Sequence, residues 1–597
     1  MPRRTNGNPN MSRAAAIAML AFTVLTPVGR QAHAQTASAA TVSAPDLIYE
    51  NARVYTVNAK FELAQAVAIR GDKIVAVGST AEIRRLAGPQ TKVVDLAGKP
   101  LLPGFADNHV HLGGPLQPWK YGGMIGELPA WIRGADTIPK VLEAIKGQVA
   151  TLPKGSWIVG ELSREQWPNG TLPGRIDFDK VAPDNPVAIA RGPHTLLVNS
   201  AALKAARITR ETTAEGGEIV HGPDGEPNGK ILESARRLIW EVMPPETREG
   251  GGGKEASLAE WHKLFTQLVD LGVTSVNIAG VRPADLKLVQ EMYDRWGDEL
   301  PRAVVQVRLW PGYDHHADPE IGVKESIAEV DALPDPKTIF THPKLKAGAI
   351  KMSIDGGLSA PIMWTTKPYE NRPGFHGEQR IPDSVFYRVA KRAHERGWQL
   401  GIHVMGDGAV VMVVDQLERI YKEVPGKDDT RDYLHHVAVM PPESTMKKMG
   451  KLHINVASQP GFLLALGSYA DEALSPYDEA HQDPSRSLLN HGVRVSYGSD
   501  AGPYGPIAGI YAAVTRRGWN DVVHGAEEAV TVPEAIEMHT LEPAYFNFEE
   551  AVRGSIEPGK LADLVVLDTD PMTIDPVRIQ DIKIERTIIG GKEIFAR

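Results

Sequence analysis

The chain has 597 residues, 42% apolar and 23% charged, which is too long for one ordinary domain and too apolar for a disordered or collagen-like chain. Its formal charge of −9 comes without any block of basic residues, so neither nucleic acid nor an anionic membrane surface is an expected partner. The absence of cysteine excludes disulfides and thiolate metal sites, and leaves His, Asp, Glu or a modified Lys to hold any metal.

At the amino terminus, Arg3, Arg4 and Arg13 precede the apolar run "AAAIAMLAFTVLTPVG", and "AHA" at 32–34 puts small residues at the −3 and −1 positions of a cleavage site. Residues 1–34 therefore read as a signal peptide, and the mature protein as secreted and periplasmic, with no membrane attachment after cleavage. The run is too short for the roughly 20 residues that span a bilayer, and Pro27 breaks it.

Next come short β-rich runs punctuated by Gly and Asp: "DLIYENARVYTVN", "AVAIRGDKIVAVG" and "KVVDLAG". A matching run, "GSIEPGKLADLVVLDTDPM…IERTIIGGKEIFAR", closes the chain. Residues 45–103 and 553–597 are expected to pair into one small β-sandwich domain. Between them, 104–552 alternates strand and helix. "SLAEWHKLFTQLVDLG" reads as a helix capped by Ser257 and stopped at Gly272, with Leu258, Trp261, Leu264, Phe265 and Leu268 as its apolar stripe. Strands are expected near 105–111, 273–279, 302–310, 349–355, 399–405, 433–439, 454–459 and 493–500. Eight such units are the number needed for a closed (β/α)₈ TIM-like barrel of the α/β class. The gap at about 112–256, which includes "EGGGGKE", is too long for a βα connection and reads as an insertion over the barrel mouth.

Strand parity then sorts the polar residues. In a parallel barrel alternate side chains face the helices and the interior. In "AGAIKMSID" the outer set is Ile350, Met352 and Ile354, which turns Lys351, Ser353 and Asp355 inward. Outer Leu400, Ile402 and Val404 leave His403 inside, and outer Val493, Val495 and Tyr497 leave Asp500 inside. In "YLHHVAV", taking Tyr433, Val437 and Val439 as outer makes His436 inward and His435 outward. "LLPGFADNHVHLGG" raises the sharpest question, since it alternates Asp107, His109 and His111 along a strand end. Such residues are either solvated loop groups or ligands. Two imidazoles on one strand face lie about 6–7 Å apart along the backbone, close enough to share a cation.

"PGFADNHVHL", "IKMSIDGGLSA", "IHVMGDGA", "LHHVAV", "SYGSDAGP" and "GSIEPGKLADLVVLD" stand in the order and spacing of the amidohydrolase superfamily. The chain resembles its amidohydrolase 3 branch, which includes N-substituted formamide deformylases. The resemblance implies a metal-dependent hydrolase of a non-peptide C–N bond in a small amide, formamide or N-acyl substrate. It implies two divalent cations, taken as Zn²⁺: His109 and His111 on the first, His403 and His436 on the second, a carboxylated Lys351 bridging them. Asp500 would bind the first ion and shuttle protons. An ammonium beside two dications is untenable, and a neutral amine can add CO₂ to become an anionic bridge. The chain departs from the branch where an acidic residue often stands at His435 and an Arg at Gly408.

Weaker candidates surround this set. The branch tends to carry a His at the place of His194, which would reach the substrate or be a packed loop residue. Gln459 is a candidate substrate contact, and Asp355 and Asp407 either orient Lys351 and His403 or cap turns. Trp119, Trp157, Trp167 and Trp364 line a pocket or simply pack, and His315 and His316 read as solvated. Two rivals stand beside the main reading: a mononuclear deaminase or cyclic-amide hydrolase with Lys351 unmodified, and a non-catalytic periplasmic binding protein. A homo-oligomer is compatible with all of them.

Overall fold

Eight parallel strands close on themselves in the middle of the chain: β1 (Phe105–Val110), β2 (Val273–Val281), β3 (Arg302–Arg308), β4 (Leu345–Ser353), β5 (Leu400–Val404), β6 (Tyr433–His436), β7 (Asn455–Ser458) and β8 (Val495–Tyr497). They neighbour one another in sequence order, and a parallel bridge from Val110 to Asp500 closes the ring. This is the expected barrel. The computed structural model describes residues 43–597 apart from 120, 163–166, 168–171, 193, 215–216, 245–246, 248–252, 312–317, 359–361, 371, 425–428, 474–481 and 519–520. The expected signal peptide, His315 and His316 lie outside the described residues. Among the described residues no helix is long and apolar enough to cross a membrane.

Alternation builds the barrel wall. Ile350, Met352 and Ile354 are fully buried with Leu400, Ile402 and Val404 in one core beneath the outer helices. The helix Gly253–Asp270 supplies Leu258, Leu264, Phe265 and Leu268 to that core. It starts four residues before Ser257, so Ser257 is not its cap; Glu255 instead places a negative charge in the first turn, where the helix dipole favours it. Gly272 ends the turn at φ +84°, and a Cβ there would sit 3.0–3.1 Å from Val565, Ile584 and Phe105. The close approach admits only glycine.

Both chain ends form the small β domain. A four-stranded sheet (Leu47–Glu50, Ala66–Arg70, Lys73–Gly78, Lys92–Asp95) faces a six-stranded one that combines Arg53–Tyr55, Leu63–Ala64 and Pro100–Pro103 with Leu564–Leu567, Ile584–Ile589 and Lys592–Ala596. Leu101, Leu564 and Val566 point into the sandwich core, whereas Leu102, Val565 and Leu567 join the barrel core. One sheet thus serves two cores through its period of two. Arg302, at the start of β3, donates to Asp563 from Nε at 2.8 Å and Nη2 at 3.2 Å, pinning the barrel floor to the sandwich.

The insertion is itself a folded layer structure. Its five-stranded sheet runs in the order Ile158–Leu162, Val187–Arg191, Thr195–Val198, Pro227–Glu233, Gly217–His221. Separate apolar clusters cover its faces, one with the helix Ile138–Thr151 and Trp167, the other with the helix Ser200–Ala205 and Trp157. Both tryptophans pack within the insertion.

Asp563→Ala leaves Arg302 without its bidentate partner and the Gly590 amide, 2.7 Å from Asp563, without its acceptor. Chemical denaturation should show a loss of about 3 kcal/mol. The double change Arg302→Met with Asp563→Leu should recover most of it.

Candidate metal centre

The seam between β1 and β8 creates the site. His109 offers its carbonyl to the amides of Ser499 at 3.1 Å and Asp500 at 2.6 Å. Gly498 permits this approach, because a Cβ there would lie 2.4 Å from the His109 nitrogen. The Asp107 carboxylate accepts from the Ser499 amide at 2.9 Å and from the Ser499 hydroxyl, so it holds the turn that carries Asp500. Asp500 follows β8 at φ +56°, a conformation that aims its side chain back over the barrel. A bulge shapes β1 as well: three residue steps from Asp107 to Val110 face two from Val276 to Ile278. Asn108 therefore reaches the interior too, bonding Ser496 at 2.6 Å.

Six side chains from five strand ends converge here. His111 Nε2 lies 3.0 Å from Asp500 Oδ1, and His109 Nε2 lies 3.4 Å from His111 Nε2, 3.4 Å from Lys351 Nζ and 3.8 Å from Asp500. The His436 ring is 4.9 Å from that of His109 and 4.5 Å from that of His403. Ligand atoms of His109, His436 and Asp500 all fall within 4.8 Å of one another.

Burial sets the protonation of the group. It drives the imidazoles of His109, His111, His403 and His436 down, His436 to about 3. Lys351 itself falls well below the ordinary amine range, through burial and the charge of Arg308. Burial opposes the Asp500 carboxylate, but its coupling to His111, led by their hydrogen bond, and to His436 and Lys351 outweighs this and holds it below the ordinary carboxylate range. The result is a cluster of neutral nitrogens beside one carboxylate, the state in which such groups are Lewis-basic donors.

The donors suit a divalent cation. His403 Nε2 is buried and has no hydrogen-bond partner among the described residues, Asp355 Oδ1 standing 3.7 Å away. A buried polar atom without a partner costs about 1–3 kcal/mol, and a cation bonded to it removes that cost. Imidazole and carboxylate donors are the set that zinc and similar ions take. His109, His111, His403, His436, Lys351 and Asp500 are the residues that would hold such ions.

Strand β6 departs from the expected parity. Tyr433 faces the interior, where Asn277 and Gln306 donate to its hydroxyl at 3.0 and 2.9 Å. His435, expected outside, is fully buried inside, with Nε2 3.0 Å from Gln306 Oε1 and its ring 4.2 Å from that of His109. His436 also faces the site because the chain leaves the β conformation there, at φ +74°, followed by Val437 at +55°. Two consecutive residues thus point inward. His435 belongs to a polar layer beneath the cluster, and Gly401 makes room for it: a Cβ there would sit 3.1 Å from Gln306 Oε1 and 3.2 Å from His435 Nε2.

Gln459 Oε1 accepts from His436 Nδ1 at 2.6 Å while its amide nitrogen bonds the Ala457 carbonyl at 2.9 Å and approaches His109 Nδ1 at 3.3 Å; the side chain steadies two imidazoles. Asp355 accepts from the amides of Trp364, Met405 and Gly406, each at 2.9 Å, and burial lifts it to about 7. Asp407 accepts from the Thr366 amide at 2.9 Å and from the Thr366 hydroxyl, bracing a loop. The Trp364 indole lies over Gly408, where the resemblance led to an Arg. Trp119 packs edge-on against Tyr121. His194 bonds Glu233, which sequence reasoning missed, because nothing in the pattern around "ILESA" marks it.

The model of the amidohydrolase family matches residues 92–595. An N-substituted formamide deformylase of Arthrobacter pascens is 30% identical over 92% of this chain and 97% of its own length. The putative amidohydrolase YtcJ of Bacillus subtilis (strain 168) is 27% identical over 92% and 99%. Among solved structures, an uncharacterised metal-dependent hydrolase of Pyrococcus horikoshii OT3 superposes with a TM-score of 0.63 at 20% identity, covering 89% of this chain and 99% of that one.

His403→Leu replaces an unpartnered buried nitrogen by apolar atoms of similar volume. The metal-free variant should keep its stability to within about 1.5 kcal/mol. Its thermal midpoint should rise less than that of the wild type when Zn²⁺ is added, as read by calorimetry.

Proposed function

The chain belongs to the amidohydrolase family, and on that footing we propose that this hydrolase cuts a non-peptide C–N bond of a small amide, formamide or N-acyl substrate. The observation that carries the proposal is the meeting of His109, His111, Lys351, His403, His436 and Asp500 at one barrel end. Divalent cations bound there, two Zn²⁺ in this reading, would polarise a substrate carbonyl and lower the pKa of a water towards neutrality. His109, His111 and Asp500 would hold one ion, and His403 and His436 the other.

Each residue then has a task that its surroundings suit. Lys351, kept neutral by burial, is able to add CO₂ and become an anionic, two-oxygen ligand between the ions. Asp500, anionic beside His111, accepts a proton from the attacking water and returns it to the leaving nitrogen. Gln459 holds His436 Nδ1, which leaves Nε2 as the donor nitrogen. The insertion supplies the substrate-facing surface, with His194 as its contribution. Arg3, Arg4, Arg13, the apolar run and "AHA" support export of the mature enzyme to the periplasm after cleavage at Ala34.

Chelation should abolish turnover of a panel of formamides, N-acyl amines and cyclic amides, and added Zn²⁺ should restore it. Metal analysis should give two ions per chain, falling to one or none in Lys351→Ala. Asp500→Asn should lower kcat by about 10²–10⁴-fold. A metal-loaded wild type that turns over none of the panel would sink the proposal.

A further inference from the structure

Gln459 directly follows β7, is buried, and turns one amide group towards three neighbours. Its nitrogen lies 2.9 Å from the Ala457 carbonyl and 3.3 Å from His109 Nδ1, and its oxygen lies 2.6 Å from His436 Nδ1. A carbonyl oxygen only accepts, so the Ala457 contact decides which end of the amide is the nitrogen. Turned over, the side chain would press its own oxygen against that of Ala457.

This single choice sets two tautomers in opposite senses. The amide oxygen also only accepts, so the His436 proton sits on Nδ1 and Nε2 carries the lone pair. The second N–H of the amide is left for His109, whose Nδ1 accepts it and whose own proton therefore sits on Nε2. Burial, which lowers both imidazoles, agrees with one proton on each ring. His109 Nε2 is 3.4 Å from His111 Nε2, 3.4 Å from Lys351 Nζ and 3.8 Å from Asp500, so this proton points among the donors of one cation site. The ring has little freedom to step aside. Its carbonyl holds the amides of Ser499 and Asp500, and the His435 ring packs 4.2 Å away. His111 also turns Nε2 to the Asp500 carboxylate, at 3.0 Å, but no described residue bonds its Nδ1, so nothing opposes a proton there. The other site meets no such obstacle, because His403 Nε2 has no partner among the described residues and His436 Nε2 is a lone pair.

We infer that Gln459 is a positioning residue that makes the two cation sites unequal: it presents His436 as a ready ligand and withholds His109. Ligation by His109 Nε2 requires its proton to move to Nδ1 of the same ring, where it meets the amide N–H of Gln459. No proton is gained or lost in that shift, but the contact between Gln459 and His109 must be given up. The inference rests on the two-cation reading above.

The test titrates Zn²⁺ into the metal-free full-length chain by calorimetry. His403→Leu isolates the site of His109, His111 and Asp500, and His111→Leu isolates that of His403 and His436. Gln459→Met, close in volume to the wild type, is then placed in each background. Beside His403→Leu it should tighten Kd by about 5-fold, because the opposing N–H is gone. Beside His111→Leu it should weaken Kd by about 10–100-fold, because His436 loses the acceptor that fixes its tautomer. A residue that merely packs would move both constants the same way. Neutron diffraction of the metal-free wild type should place deuterium on His109 Nε2 and on His436 Nδ1. Deuterium on His109 Nδ1, or Kd values that shift together or not at all, overturns the inference and leaves the hydrolytic reading standing. A wild type that binds no Zn²⁺ overturns the two-cation reading and the inequality of the sites with it. Should Gln459→Met fail to fold, the deuterium positions decide.

Discussion

The closing of β8 against β1 is the contact on which the rest depends. Without it, residue 109 and residue 500 are distant ends of an open sheet. With it, one carbonyl, that of His109, receives two amides from the opposite edge, and the Asp500 carboxylate lies beside His111. Glycine at 498 is what lets the backbones approach so closely. The Asp107 carboxylate, raised to about 6 by burial, locks the turn from beneath. Barrel closure and assembly of the cluster are therefore one event.

Closure also removes water, and this gives the cluster its chemistry. Imidazoles and an amine that would carry protons in solvent are neutral inside the barrel. Beneath them, Asn277, Gln306, Tyr433 and His435 hydrogen-bond one another in a polar layer, while His435 Nδ1 has no partner among the described residues. Gln459 ties that interior to the cluster through His436. The His436 and His109 rings are steadied on their Nδ1 sides by Gln459, itself held by the Ala457 carbonyl.

The insertion completes the mouth by a different route. It folds around two apolar clusters of its own, separate from the barrel core. Its attachment beside the cluster is polar, through the Glu233 carboxylate with Arg380 and Gly357.

The sequence by itself determined the eight strands, the sandwich built from both ends and the inward direction of Lys351 and His403, because alternation along a regular strand is a local property; Asp500, expected inward from the same alternation, lies beyond β8 and is aimed by a turn at positive φ. It also marked one outer helix through its apolar stripe, although it placed the cap at Ser257 where the helix begins at Gly253. It misplaced His435 and Tyr433, because the parity of β6 was read from Val437 and Val439, which lie beyond a left-handed residue that resets the alternation. It gave no sign of Glu233, whose partners come from residues 194, 357 and 380. Only the tertiary structure decided those positions, since positive φ angles and contacts across hundreds of residues arise when the barrel closes and the insertion docks, and no local period encodes them.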